Sequence, residues 1–216
     1  MKEKYLFFDL DGTLTDSQEG IINSVRAAAE AFGIDATPQQ IKGFIGPPLT
    51  WSFPHFFGLS DEETQVAIGI FRERYSDKGK FENRVYEGIF EALTSLRDAG
   101  YRLVIATSKP EFYATQIADH FGLTPYFDLV AGSSPDESGG KEEVIRDAIA
   151  RLGNISPETC LMIGDREHDI EGAHAVGMRC VAVLWGYGSQ EEFTAHRADE
   201  VVETPEALVA LLTGAN

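Results

Sequence analysis

YLFFDLDGTLTDS, residues 5–17, joins an apolar run to a pair of carboxylates. Tyr5 to Phe8 make a strand-length hydrophobic segment, of the kind buried on both faces of a parallel sheet. Asp9 and Asp11 then follow two residues apart, with Gly12 and Thr13 behind them. Repelling charges at the mouth of a core have two readings. Asp11-Gly12 is a common turn pair. Alternatively, the carboxylates face a cation and a reacting group.

Working outward, further strand-length runs occur at 102–108 (RLVIATS), 127–133 (FDLVAGS), 159–165 (TCLMIGD) and 179–185 (RCVAVLW). They are nearly continuous in hydrophobicity rather than alternating, which suits a parallel sheet covered on both sides. Helical patterns separate them. GIFEALTSLRDAG carries Ile89, Leu93 and Leu96 on one face and stops at Gly100. PEFYATQIADHFG opens at Pro110, and KEEVIRDAIARLG places Val144, Ile145, Ala148, Ile149 and Leu152 on one side. The alternation predicts an α/β fold with a Rossmann-like parallel sheet.

Between the first strand and residue 84 the pattern is helical instead. EGIINSVRAAAEAFG is amphipathic, and Thr37/Gln40 and Ser60/Glu63 have capping-box spacing. The expectation is a helical insertion at 16–83, with the core formed by 1–15 and 84–216. SSPDESGG at 133–140 has the composition of a loop.

The chain has 216 residues and a formal charge of −17. That balance argues against nucleic acid or an anionic membrane as partner. No apolar stretch reaches the ~18 residues of a membrane span, and no long apolar region follows the first lysines. Cys160 and Cys180 sit in apolar strand-like runs and read as buried reduced thiols. A cytoplasmic protein, monomer or homodimer, is expected.

Carboxyl ends of parallel strands open on one crevice. The residues there are Asp9, Asp11 and Gly12; Thr107, Ser108 and Lys109; Lys141 at a helix start; and Asp165 and Asp169 in GDREHD. Carboxylates, hydroxyl donors and lysines in one place fit phosphoryl transfer, which needs a nucleophile, charge relief and a proton for the leaving oxygen. Mg²⁺ is the natural cation, because it takes hard oxygen ligands from a few carboxylates. Asp9 and Asp165 could share it, while Lys141, Thr107 and backbone N–H groups near Gly12 hold phosphate oxygens.

DLDGTLTDS, ATSKP, Lys141 and GDREHD together resemble the four motifs of the haloacid dehalogenase-like superfamily, in order across nearly the whole chain. The resemblance implies a Rossmann-like core with a helical cap and a hydrolase acting on a small-molecule phosphate ester. It gives Asp9 as the nucleophile and Asp11 as the general acid and base, whose backbone carbonyl ligates Mg²⁺. It gives Thr107 as the phosphate-binding hydroxyl and Lys141 as the lysine that neutralises Asp9 and the phosphate, and Gly12, Ser108 and Lys109 stand beside them as candidates for substrate and phosphate binding. Asp165 follows as a metal ligand supported by Asp169. Dehalogenases of the superfamily lack the second aspartate, so Asp11 points away from a carbon–halogen substrate. IGPPL (45–49) and the stretch 81–123 resemble the phosphoglycolate phosphatase and 5′-nucleotidase-like branch, although Thr50 stands where relatives often carry a basic residue.

Several alternatives stay open in the sequence. Ser108 fits a helix cap as well as a ligand contact. Lys109 fits a solvent-facing position. His168 reads as a surface residue, and Trp51, Phe53, Phe56 and Phe57 read as core of the helical insertion. A phosphosugar mutase, or a non-catalytic protein binding a phosphorylated ligand, would share the same core motifs.

Overall fold

A computed structural model describes residues 3–134 and 139–214, so the middle of the loop expected at 133–140 lies outside the described residues. In chain order the elements are β1 (Tyr5–Phe8), α1 (Gln18–Ala31), α2 (Pro38–Lys42), α3 (Leu49–Phe57), α4 (Asp61–Asp77), α5 (Ile89–Asp98), β2 (Arg102–Pro110) and α6 (Glu111–His120). There follow β3 (Leu129–Ser133), α7 (Lys141–Arg151), β4 (Cys160–Gly164), α8 (Glu167–Ala175), β5 (Arg179–Val183), α9 (Gln190–Ala195), β6 (Glu200–Val202) and α10 (Pro205–Thr213). The chain divides into two compact units, residues 1–16 with 85–216, and residues 17–84.

The first unit is built on a parallel sheet of order β3-β2-β1-β4-β5-β6. Side chains of a strand alternate between faces. Leu6 and Phe8 of β1 enter one apolar layer with Leu103 and Ile105 of β2, while Tyr5 and Phe7 enter the other with Val104 and Ala106. Both faces are therefore covered, which explains why β1 reads as continuous hydrophobicity. Ile89, Leu93 and Leu96 of α5, Ile117 of α6 and Leu208 of α10 line the first layer. Val144 and Ile145 of α7, Ile170 of α8 and Phe193 of α9 line the second. Because β1 lies between β2 and β4, strand order reverses beside it, and the crevice of an open α/β sheet forms at such a point.

The sheet departs from the sequence reading in two places. β2 runs on to Pro110, with its register against β3 broken between Thr107 and Pro110. β6 forms from only Glu200, Val201 and Val202, too short a run to stand out by periodicity.

The second unit contains α1 to α4 and a short 3₁₀ turn at Gly79–Phe81. Both expected capping boxes form, Thr37 with Gln40 and Ser60 with Glu63. The aromatic stripe divides. Phe53 is fully buried and packs on Phe44, ring centroids 4.9 Å apart, whereas Trp51 is 49% exposed and stacks on His55. Arg74 and Glu82 form a paired-nitrogen ion pair at 2.7 and 2.8 Å, tying α4 to the chain beyond the 3₁₀ turn. No helix among the described residues is long and apolar enough to cross a membrane.

Candidate active site

The pairing of β1 with β4 continues one residue past Phe8. Asp9 N donates to Ile163 O at 2.9 Å, which fixes the direction in which the Asp9 side chain leaves the sheet. The chain then turns tightly: Gly12 N donates to Thr15 O, and Leu14 N and Thr15 N both donate to Leu10 O. Gly12 has φ +81°, a region that favours glycine, and a Cβ there would overlap the Asp165 carboxylate. Glycine is thus required both by the turn and by the approach of Asp165.

Lys141 is the first residue of α7, where the helix dipole disfavours a cation. Its side chain is 3% exposed, and its Nζ lies 2.9 Å from Asp9 Oδ1 and 2.8 Å from Asp169 Oδ1. It also donates to the Ala106 carbonyl of β2 at 3.1 Å. Burial alone would strip its charge, but Asp169 and Asp9 beside it reverse that and raise its pKa above that of a free lysine.

Asp165 follows β4 and is fully buried. Its Oδ1 accepts from Thr13 Oγ1 at 3.2 Å and its Oδ2 from Tyr187 N at 2.8 Å. Burial, then Asp169 and Asp9, hold its pKa well above the usual carboxylate range. Asp169 lies in the first turn of α8, where a carboxylate suits the helix dipole. It accepts from Asp165 N and Arg166 N, both at 3.1 Å. Burial pushes it up to about 6 despite Lys141, with Asp9 adding to the rise.

The remaining sequence candidates divide. Lys109 is not a solvent-facing side chain: its Nζ is 2.6 Å from Asp11 Oδ2. Asp11 Oδ1 is buried without a hydrogen-bond partner among the described residues. Thr107 is buried on β2 where the register against β3 breaks, and its Oγ1 accepts from Lys109 N. Ser108 is exposed and caps nothing, because α6 has Pro110 as its N-cap with no side-chain bond. His168 is half exposed beside Glu167.

Oxygens of Asp9, Asp165 and Asp169 all lie within 4.8 Å of one another. Hard oxygen donors from three carboxylates within reach of one another fit Mg²⁺.

The sequence reading missed two contributors. The Ala106 carbonyl is invisible to any search by side chain. The loop after β5 is the other: Trp185 Nε1 donates to Thr13 O at 2.9 Å, and Tyr187 hydroxyl donates to Asp16 Oδ1 at 3.1 Å. Its signal was present, since two glycines at the carboxyl end of a parallel strand mark close backbone approach.

Residues 6–183 match the family described as haloacid dehalogenase-like hydrolase. The chain belongs to this family. It is 43% identical to a protein named 5′-nucleotidase from Pseudomonas aeruginosa, covering 89% of this chain and 87% of that one. It is 41% identical to a tyrosine-protein kinase, PtkA, from Mycobacterium tuberculosis, covering 94% of this chain and 67% of the relative. Relatives named phosphoglycolate phosphatase match at 28% to 32% identity. Among solved structures, a predicted phosphatase from Clostridium acetobutylicum superposes with a TM-score of 0.92 at 42% identity, over 99% of this chain and 100% of that one. Membership and these relatives make the chain a phosphoric monoester hydrolase.

Proposed function

We propose that the chain hydrolyses small phosphomonoesters in two steps through an aspartyl-phosphate on Asp9. An Asp9 carboxylate oxygen attacks phosphorus and the bond to the leaving oxygen breaks, while Asp11 gives that oxygen a proton. A water then attacks the aspartyl-phosphate and Asp11 takes its proton. Inorganic phosphate leaves and Asp9 is restored, so each cycle consumes one water. Lys141, 2.9 Å from Asp9 Oδ1, supplies positive charge where phosphate oxygens gather. Thr107 and Lys109 stand at the end of β2 to contact the same group.

Asp9, the Asp11 backbone carbonyl and Asp165 would hold Mg²⁺, with Asp169 supporting them. Bound there, the cation offsets the repulsion between carboxylate and phosphate. Residues 17–84 are proposed as the substrate-selecting cap. The observation that carries the reading is the pairing of Asp9 with Lys141 beside the Asp165 carboxylate, close enough for one cation to be shared.

A nucleoside 5′-monophosphate is the favoured substrate, on the likeness to the P. aeruginosa nucleotidase; Thr50, in place of a basic residue, disfavours phosphoglycolate. The likeness to PtkA gives a second reading, phosphoryl transfer to a tyrosine. Phosphate release from nucleoside monophosphates, phosphoglycolate and sugar phosphates, with and without Mg²⁺, tests the proposal. Turnover fastest on nucleoside monophosphates and abolished by EDTA is expected. Phosphate passed from ATP to a tyrosine peptide, with no ester hydrolysed, would favour the kinase reading. Interconversion of sugar phosphates would favour a mutase.

A further inference from the structure

We infer that Trp185–Gly186–Tyr187, beyond β5, is a positioning strap that sets the Asp165 carboxylate for its cation, an inference that rests on the reading of Asp165 as a metal ligand. A buried carboxylate ligand needs both oxygens oriented, because each spends one lone pair on the protein and keeps another for the metal. Asp165 is oriented from two sides. Thr13 Oγ1 holds Oδ1 from the β1 turn, and Tyr187 N holds Oδ2 from the β5 loop. The two sides are tied to each other, since Trp185 Nε1 donates to the carbonyl of that same Thr13.

Contact along the strap is closer than any side chain allows. A Cβ on Gly186 would overlap the Gly12 carbonyl oxygen and the Asp165 side chain. One on Gly188 would overlap the Asp165 carbonyl oxygen. Glycines therefore let the loop lie against the backbone of both motifs. Tyr187 adds a third anchor, its hydroxyl donating to Asp16 Oδ1 at the end of the β1 turn. The strap thus joins the turn that carries Asp11 to the residue that follows β4, without supplying a ligand of its own.

Trp185, Gly186 and Tyr187 are positioning residues. Their loss is read first in metal affinity, with the bound enzyme otherwise competent. Calorimetric titration of the full chain with Mg²⁺ tests this for the wild type, Asp165→Asn, Trp185→Phe and Gly186→Ala. Metal affinity falls about 10-fold in Trp185→Phe and about 10- to 100-fold in Gly186→Ala, the range for residues that orient ligands. Excess Mg²⁺ should restore kcat in Trp185→Phe while KM for the ester stays put, a rescue that general loosening would not give. If Gly186→Ala does not fold, Trp185→Phe decides alone. Mg²⁺ affinity within two-fold of wild type in Trp185→Phe, with Asp165→Asn unable to bind, overturns the strap and leaves Asp165 as ligand. Equal binding by Asp165→Asn and wild type, or none by wild type, overturns the ligand reading and the strap with it.

Discussion

At Lys141 an ammonium group nearly cut off from water lies between Asp9 and Asp169. Removing it leaves two carboxylates facing each other, one of them fully buried, without a counter-charge. Breaking a buried ion pair in this way costs about 3 to 5 kcal/mol. Lys141→Met should therefore lower the urea midpoint strongly as well as abolish turnover. Added Mg²⁺ should recover part of the stability and none of the activity, because the cation replaces charge and not the ammonium donor that Lys141 places beside Asp9. The same cluster sets a pH dependence. Asp169 is pushed up to about 6 and Asp165 is raised too, whereas an unfolded aspartate titrates near about 4. Between those values the native state keeps protons that the unfolded chain has released, so metal-free stability falls as pH rises from about 4 to about 6. Mg²⁺ displaces those protons. Its upward shift of Tm should be larger near pH 7 than near pH 5, measured by differential scanning fluorimetry; equal shifts would remove Asp165 and Asp169 from the metal site.

Among the elements, those with an unbroken apolar run, a helical period or a paired cap were the legible ones. β1 follows from its continuous apolar run, α5 from the spacing of its apolar residues, and the capping boxes of α2 and α4 from two residues each. β6, with three residues, offers no period to read. α10 carries Thr204 as a side-chain N-cap and Pro205 at its first turn, so its start was written in the sequence. Its apolar residues nevertheless run almost continuously, which blurs any face. Caps give a prediction of their own. Ser60 accepts from Glu63 N at the start of α4, and Ser60→Ala should cost about 1 kcal/mol. Chemical denaturation followed by circular dichroism would show the lower midpoint. An unchanged midpoint would mean that packing alone holds the first turn of α4.

For the whole molecule, the sheet order explains why four separated segments could be read as one site. β1 lies beside β4 and β2, so Asp9, Thr107 and Asp165 come off neighbouring strands at the same end. Lys141 arrives from the helix that leads into β4. Spacing along the chain could show that arrangement, because side chains with distinct chemistry mark each strand end. It could not show the direct pairing of Lys109 with Asp11, nor the strap from β5, which depend on where a flexible side chain settles and on backbone N–H groups that every residue possesses. The central claim is that Asp9 carries the phosphoryl group. Acid quenching during turnover of a nucleoside 5′-monophosphate with Mg²⁺, followed by peptide mapping by mass spectrometry, tests it most directly. The account predicts one phosphorylated aspartate, Asp9, in the wild type and neither phosphopeptide nor phosphate release in folded Asp9→Asn. Phosphate release at the wild-type rate by Asp9→Asn, or a phosphoryl group on any other residue, would contradict it.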